Sequence, residues 1–291
     1  MARTTFLDKT LFAVTRVAEQ SFFSEEYANR RGLLQGLDIR YQIVSFLFIL
    51  VVISLLHRPE SLWILYGASL VLAAFSRIPL QFIVKRVWLF VPLFTAIIVL
   101  PSLLNIVTPG DPVAVLVRFG RPRTWGPYTI PAEITITQQG IGGGIVFVSR
   151  VAASVSFAVL FTLTHRWAEI FAGFRALGVP RVFVMTLSMT ERYLFVFLRL
   201  IQDMYRARKS RTIGELSASA ERSWTASRIG VTFRKSLEMS DDVYKAMLSR
   251  GFNGEFRSIN RFRSSFRDYL WLSLVIAAGA LLLLLERGPI R

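Results

Sequence analysis

Cysteine is absent from the 291 residues, and histidine occurs only at His57 and His165. The first absence excludes disulfides and thiolate metal ligation. The second leaves too few imidazoles for a closed metal site of about four ligands, so both read as helix-end residues and no resident metal or cofactor is expected. No Gly-x-x-x-x-Gly-Lys-Ser/Thr phosphate loop occurs, so the chain is not expected to hydrolyse ATP itself. No Ser/His/Asp, Cys/His or His-Glu-x-x-His arrangement offers a nucleophile with its base, so no catalytic residue is assigned. The opening Met1-Ala-Arg3, followed by Asp8, Lys9, Arg16 and Glu19, lacks the apolar core and cleavage site of a signal peptide, and insertion would rest on internal spans.

Apolar residues fill the space. They make up 53% of the chain, with 24 Phe, in several uninterrupted runs, and the expected class is an all-α integral membrane protein with about five transmembrane helices. Spans are expected at Tyr41–Leu56, Leu62–Phe75, Val87–Val107 (kinked at Pro92 and Pro101), Ile141–Thr164 and Leu270–Leu285. Residues 1–40 form an N-terminal cytoplasmic segment, 41–165 the first four spans, and 268–291 the last span and tail. The loop 108–139 is rich in Pro and Gly, with room for a small hairpin over Thr129–Thr137.

Lys and Arg outnumber Asp and Glu 35 to 19, a net +16. Nucleic acid is one reading of such charge, but in an apolar chain basic residues first set topology and meet anionic lipid or an acidic partner. With Arg30, Arg31 and Arg40 inside the cell, alternation also places Arg77, Lys85, Arg86 and residues 166–267 inside. Arg118, Arg121 and Arg123 oppose this orientation, although they sit in a long loop, which the rule weighs lightly. The chain is thus expected to be multi-pass in the cell membrane.

Residues 166–267 differ from the spans. Trp167–Leu177 ends at Gly178-Val-Pro180, and Arg181–Arg211 has helical period, with Glu191, Arg192, Arg199, Gln202 and Asp203 among apolar residues. Such a helix is too polar to cross lipid and too apolar to float free, so it should lie at the cytoplasmic surface. Gly214–Arg228 reads as loop and Ile229–Arg250 as a further helix. Both helices close on one phrase: Asp203-Met-Tyr-Arg-Ala-Arg-Lys-Ser-Arg211 and Asp242-Val-Tyr-Lys-Ala-Met-Leu-Ser-Arg250 share Asp, Tyr, a basic residue, Ala, Ser and Arg at equal offsets. Two helices ending this way can present two arginines together.

An arginine at a helix C-terminus is favoured by about 0.3–1 kcal/mol, and its five donors stay available to a partner carboxylate or carbonyl. Gly251 fits a left-handed residue that ends the helix sharply, which Thr212 does not supply cheaply. Spacing alone equally allows two basic helix ends facing anionic lipid.

Leu37-Asp38-Ile-Arg40, Gln139-Gly140, Leu177-Gly-Val-Pro180, Glu191-Arg-Tyr193, the first Arg phrase and Ala246-Met-Leu-Ser-Arg-Gly-Phe252 occur in an order that resembles the transmembrane T component of energy-coupling factor transporters, in its cobalt/nickel branch. The resemblance runs over roughly residues 25–286. It implies two to three cytoplasmic coupling helices whose terminal arginines enter grooves of ABC-type ATPases. Carried over, the ATPase-coupling residues are Ser210, Arg211 and Thr212 in the first motif, and Ala246, Ser249, Arg250 and Gly251 in the second. The implied partners are two ATPase subunits, one substrate-binding membrane subunit and membrane lipid, with no nucleic acid. The implied role is non-catalytic: to pass ATPase motion to the substrate-binding subunit during uptake of cobalt, nickel or a vitamin. Thr212 departs from the family's Gly, and Ile39 from its Pro.

Other features carry rival readings. Arg150, inside the fourth span, is read as structural, paired with a carboxylate such as Glu191 or lying near an interface. Gly142-Gly-Gly144 reads as close helix packing rather than a phosphate cradle. The aromatic and basic stretch Phe252–Phe266 reads as a lipid-surface anchor rather than a nucleic-acid platform. The alternative function is a membrane-embedded lipid-modifying enzyme using Glu191, Arg192 and Asp203. A self-sufficient channel is disfavoured because no span carries a polar stripe.

Overall fold

The computed structural model describes residues 27–28, 30, 32–105, 107–118, 123–125, 128–130, 133–212, 217–254 and 264–287. They fall into two compact units, one from Ser24–Arg166 with Arg263–Arg291, the other from Trp167–Phe262.

The first unit is a helical bundle carrying a small β element. Asp38 starts α1 (Ile39–Leu55) as an N-cap whose side chain accepts from the Arg40 amide. After an extended Leu56–Arg58, Pro59 opens α2 (Pro59–Phe75) at the first helical position, where its missing N–H costs nothing. Helix α3 (Leu80–Ser102) begins seven residues before the expected Val87, taking in Lys85 and Arg86. Hydropathy weighs those side chains against a span, whereas helix propensity does not. The helix continues through Pro92 and on to Pro101 in its last turn.

The loop adds a small β element to an otherwise helical chain. Strand β1 (Pro112–Arg118) pairs antiparallel with β4 (Glu133–Thr137), Pro112 opposite Thr137 and Arg118 opposite Glu133, while β2 (Arg123–Trp125) pairs with β3 (Tyr128–Ile130). Pairing thus runs back to 112–118 instead of closing within 129–137. The β-branched run Val113, Val115 and Val117 supplies that strand.

Helix α4 (Gln138–Thr164) is capped by Thr137, whose hydroxyl accepts from the Gly140 amide at 3.1 Å. It packs on α2 and α3 through small residues. A Cβ on Gly140 would stand 2.7 Å from the Ser102 carbonyl and one on Gly144 2.8 Å from Val99 Cγ1, while Gly142 and Gly143 face open space. Buried Ser69 and Ser156 join α2 to α4 by a 2.6 Å hydrogen bond. In lipid, close packing and such bonds replace the drive to leave water. Around them lies a core of Ile53, Leu56, Leu62, Ile83, Val87 and Phe157.

Helix α8 (Phe266–Arg287) lies parallel to α1 and is latched to it at both ends. At its start, Asp268 accepts from the Asp38 amide at 2.9 Å and the Ser265 amide at 2.6 Å. At its end, Glu286 Oε1 accepts from the His57 and Arg58 amides. Between them, Gly279 lets the helices close on Phe48 and Val52.

By length and composition, Gln138–Thr164 and Phe266–Glu286 are able to cross a membrane, while the apolar Ile39–Leu55 and Pro59–Phe75 have 17 residues each. Seventeen residues rise about 25 Å, at the lower limit of the roughly 17–25 residues with which helices span a hydrocarbon core.

The second unit holds α5 (Trp167–Ala176), α6 (Arg181–Arg211) and α7 (Ala218–Ser249). Helix α5 packs on α6 and buries Ile170 and Phe171. Helix α7 begins at Ala218, which corrects the reading of Gly214–Arg228 as loop. Ser217 caps it by accepting from the Ala220 amide, and its first turns carry Ala220 and Ala226, strong helix formers.

Candidate functional site

Three helices end in the second unit, in two ways. At the end of α5, Gly178 at φ +99° donates to Arg175 O and Val179 donates to Phe174 O. At the end of α7, Gly251 at φ +80° donates to Leu248 O at 2.9 Å and Phe252 donates to Met247 O at 3.0 Å. Each is a Schellman closure, which needs a residue free to adopt positive φ. Helix α6 ends differently: Thr212 is extended, at φ −98° and ψ 119°, and its hydroxyl donates to the Arg208 carbonyl at 3.0 Å. A side chain satisfies there what a backbone amide satisfies at the second phrase.

The two phrases are otherwise built alike. Ser210 Oγ donates to Ala207 O at 2.9 Å, and Ser249 Oγ donates to Ala246 O at 3.0 Å. Ser210, Arg211, Ala246, Ser249, Arg250 and Gly251 are all exposed, and Thr212 is half-buried. Neighbouring residues differ. Arg208 and Lys209 of the first phrase correspond to Met247 and Leu248 of the second, so one end is cationic and the other apolar.

The arginines do not lie together. Clefts between α6 and α7 are lined by Met185 with Met247 at one end, Phe197 with Ser236 midway, and Arg208 with Trp224 and Arg228 at the other. Residue numbers rise on α6 as they fall on α7, so the helices are antiparallel. The reason is the connection, only residues 212–217, since a short link makes antiparallel neighbours. Arg211 and Arg250 therefore stand at opposite ends, separated by about 26 residues of helix or roughly 39 Å.

Around the first phrase lies a cluster that sequence reasoning missed. Arg208 stacks over the Trp224 ring at 4.3 Å, Arg228 lies 5.6 Å from that ring, and Tyr205 meets it edge-on at 6.4 Å. Arg228 Nε is buried without an acceptor among the described residues. Such an unmet donor costs about 1–3 kcal/mol. The repeated phrase included Arg208, but reading 214–228 as loop hid Trp224 and Arg228.

The residues offered for lipid chemistry do not converge. Glu191 and Asp203 lie on one helix twelve residues apart, about 18 Å along its axis, and Asp203 is paired with Arg206 at 3.7 Å on an exposed face. Arg150 donates to the Leu56 carbonyl at 2.7 Å, meeting the C-terminus of α1. His165 is the C-cap of α4, buried against Gln42, and exposed His57 follows α1 beside Glu286 at 3.6 Å. Among the described residues no group of three His, Cys, Asp or Glu is placed to hold a metal ion. Of the aromatic and basic stretch Phe252–Phe266, residues 255–263 lie outside the described residues.

Residues 32–260 match the model of the cobalt transport protein family CbiQ. The chain is 36% identical over 281 residues, 97% of its length and 92% of the relative's, to an uncharacterised protein of Methanocaldococcus jannaschii. It is 30% identical over 133 residues, 45% of its length and 48% of the relative's, to the nickel permease LarQ of Lactiplantibacillus plantarum.

Proposed function

This chain belongs to the CbiQ cobalt transport protein family, and we propose that within it the chain is the energy-coupling membrane subunit of an importer for cobalt or nickel. In this reading two ABC-type ATPase subunits close on ATP, each gripping one arginine phrase, and the α6–α7 pair carries the motion to a separate substrate-binding membrane subunit. The chain itself catalyses nothing. Five spans cross the membrane: α1, α2, α3, α4 and α8. Residues 1–40 and 166–267 are cytoplasmic, and the β element is outside.

The observation that carries this reading is the pair of equivalent, exposed arginine ends at opposite poles of one antiparallel pair. A single groove cannot hold both across roughly 39 Å, whereas two ATPase subunits present two grooves. A guanidinium with five donors at a helix end forks onto carboxylates or carbonyls, so each end is a grip. The parallel course of α1 and α8 also fits, because first and fifth spans run in the same direction. The similarity to a nickel permease supports a divalent transition metal as cargo. With no cysteine and two scattered histidines, the ion would be held by the partner membrane subunit.

The test is metal uptake in cells carrying Arg211→Glu or Arg250→Glu, paired with recovery of ATPase subunits on the tagged chain. Both variants should lose uptake and hold their ATPases less tightly. Normal uptake in both would end the proposal.

A further inference from the structure

The cationic end of the α6–α7 hairpin opens directly onto an apolar trough, and Trp224 belongs to both. The cationic cleft, of about 290 Å³, is lined by Arg208, Arg211 and Arg228 around Trp224, with no carboxylate among the described lining residues. The trough beyond, of about 470 Å³, shares Trp224 and Arg228 and continues along Phe197, Ile201, Ile229 and Phe233. Ile229 and Phe233 are 67% and 65% exposed, so the trough is uncovered among the described residues.

We propose that this pair of clefts is a binding site for an anionic phospholipid, whose phosphate sits between Arg208 and Arg228 and whose acyl chain lies in the trough. Stacking on Trp224 fixes the plane of the Arg208 guanidinium and leaves its N–H edge free to fork onto phosphate oxygens. Arg228 Nε, buried and without an acceptor among the described residues, meets the phosphate as a donor already desolvated. Free phosphate would use the cationic cleft and leave the trough empty. A partner's apolar helix would use the trough and leave the guanidiniums unmatched. An anionic amphiphile satisfies both. Arg211 stays at the rim, and the proposal does not rest on the coupling role.

The experiment uses the purified full chain in neutral detergent micelles doped with phosphatidylglycerol or phosphatidylcholine, with lipid retained per chain counted by native mass spectrometry. The unaltered chain should retain phosphatidylglycerol about thirtyfold over phosphatidylcholine, the size expected of two basic side chains at a lipid surface. Arg208→Gln with Arg228→Gln should abolish that preference at an unchanged melting temperature, which separates loss of the site from loss of the fold, while Arg208→Lys with Arg228→Lys, which keeps the charge but not the fork or the stack, should retain only part of it. Equal retention of both lipids by the unaltered chain, or an unchanged preference in the Gln pair, would overturn the proposal. Displacement of phosphatidylglycerol by inorganic phosphate would overturn it in favour of a free-anion site.

Discussion

Asp268, buried at the start of α8, accepts the backbone N–H of Asp38, the N-cap of α1, at 2.9 Å across 230 residues of chain. The same carboxylate accepts from Ser265, and Asp38 in turn pairs with Arg40 at 2.8 Å. The start of α1 is therefore held by the last helix.

Removing that carboxylate leaves two amides without an acceptor. Asp268→Ala should cost about 2–6 kcal/mol, at about 1–3 kcal/mol for each unmet group, and lower the melting temperature in detergent. Asp268→Asn, which keeps one acceptor, should fall between. Equal melting of all three proteins would show that the latch contributes nothing.

Gly279 lies where α8 meets α1, and an added Cβ would stand 2.6 Å from Phe48 Cε1. Gly279→Leu should therefore destabilise the bundle by about 1–3 kcal/mol through overpacking, seen as unfolding at lower detergent denaturant. The same change at Gly142, which faces open space, is the control and should leave unfolding unchanged.

Arg150 meets the α1 C-terminal carbonyl at Leu56, which makes it a structural cation. Arg150→Met should lose about 1.5–3 kcal/mol of stability, the worth of a hydrogen bond to a charged group. Metal uptake per folded molecule should stay unchanged. Loss of uptake at full stability would assign Arg150 to transport instead.

Gly251 at φ +80° closes α7 in a way that Thr212 does not close α6. Gly251→Val should cost about 1–2 kcal/mol locally. Hydrogen exchange should speed up at the Gly251 and Phe252 amides, which the closure protects. Unchanged exchange there would mean the left-handed residue is dispensable.

Arg211 and Arg250, at opposite ends of the hairpin, should act independently. The losses in ATPase association on changing each to Glu should add to within about 0.3–0.5 kcal/mol in the double variant, as for distant sites. A larger coupling would mean that one bound surface senses both.

The helices of the bundle were legible because long apolar runs are a local signal, whereas the starts of α1, α2 and α4 at Asp38, Pro59 and Thr137 were found only in the structure. The repeated phrase and the Gly251 closure were legible for the same reason. The β1–β4 pairing escaped because its partners, from Arg118 with Glu133 out to Pro112 with Thr137, lie 15 to 25 residues apart across a loop whose Pro and Gly suggested irregular chain. The cluster at Trp224 escaped because small polar residues outweighed the Ala-rich propensity of the first turns of α7.

By itself, then, the sequence determined the apolar class, the C-terminal ends of α5, α6 and α7 and the two arginine phrases, all set by composition and by contacts within a few residues. Only the tertiary structure decided that the phrases point to opposite ends of one hairpin. It also decided that α8 lies along α1, that Arg150 serves a helix end, and that Arg208 and Arg228 flank Trp224. These depend on chain reversals and on packing between distant segments, which no local pattern encodes.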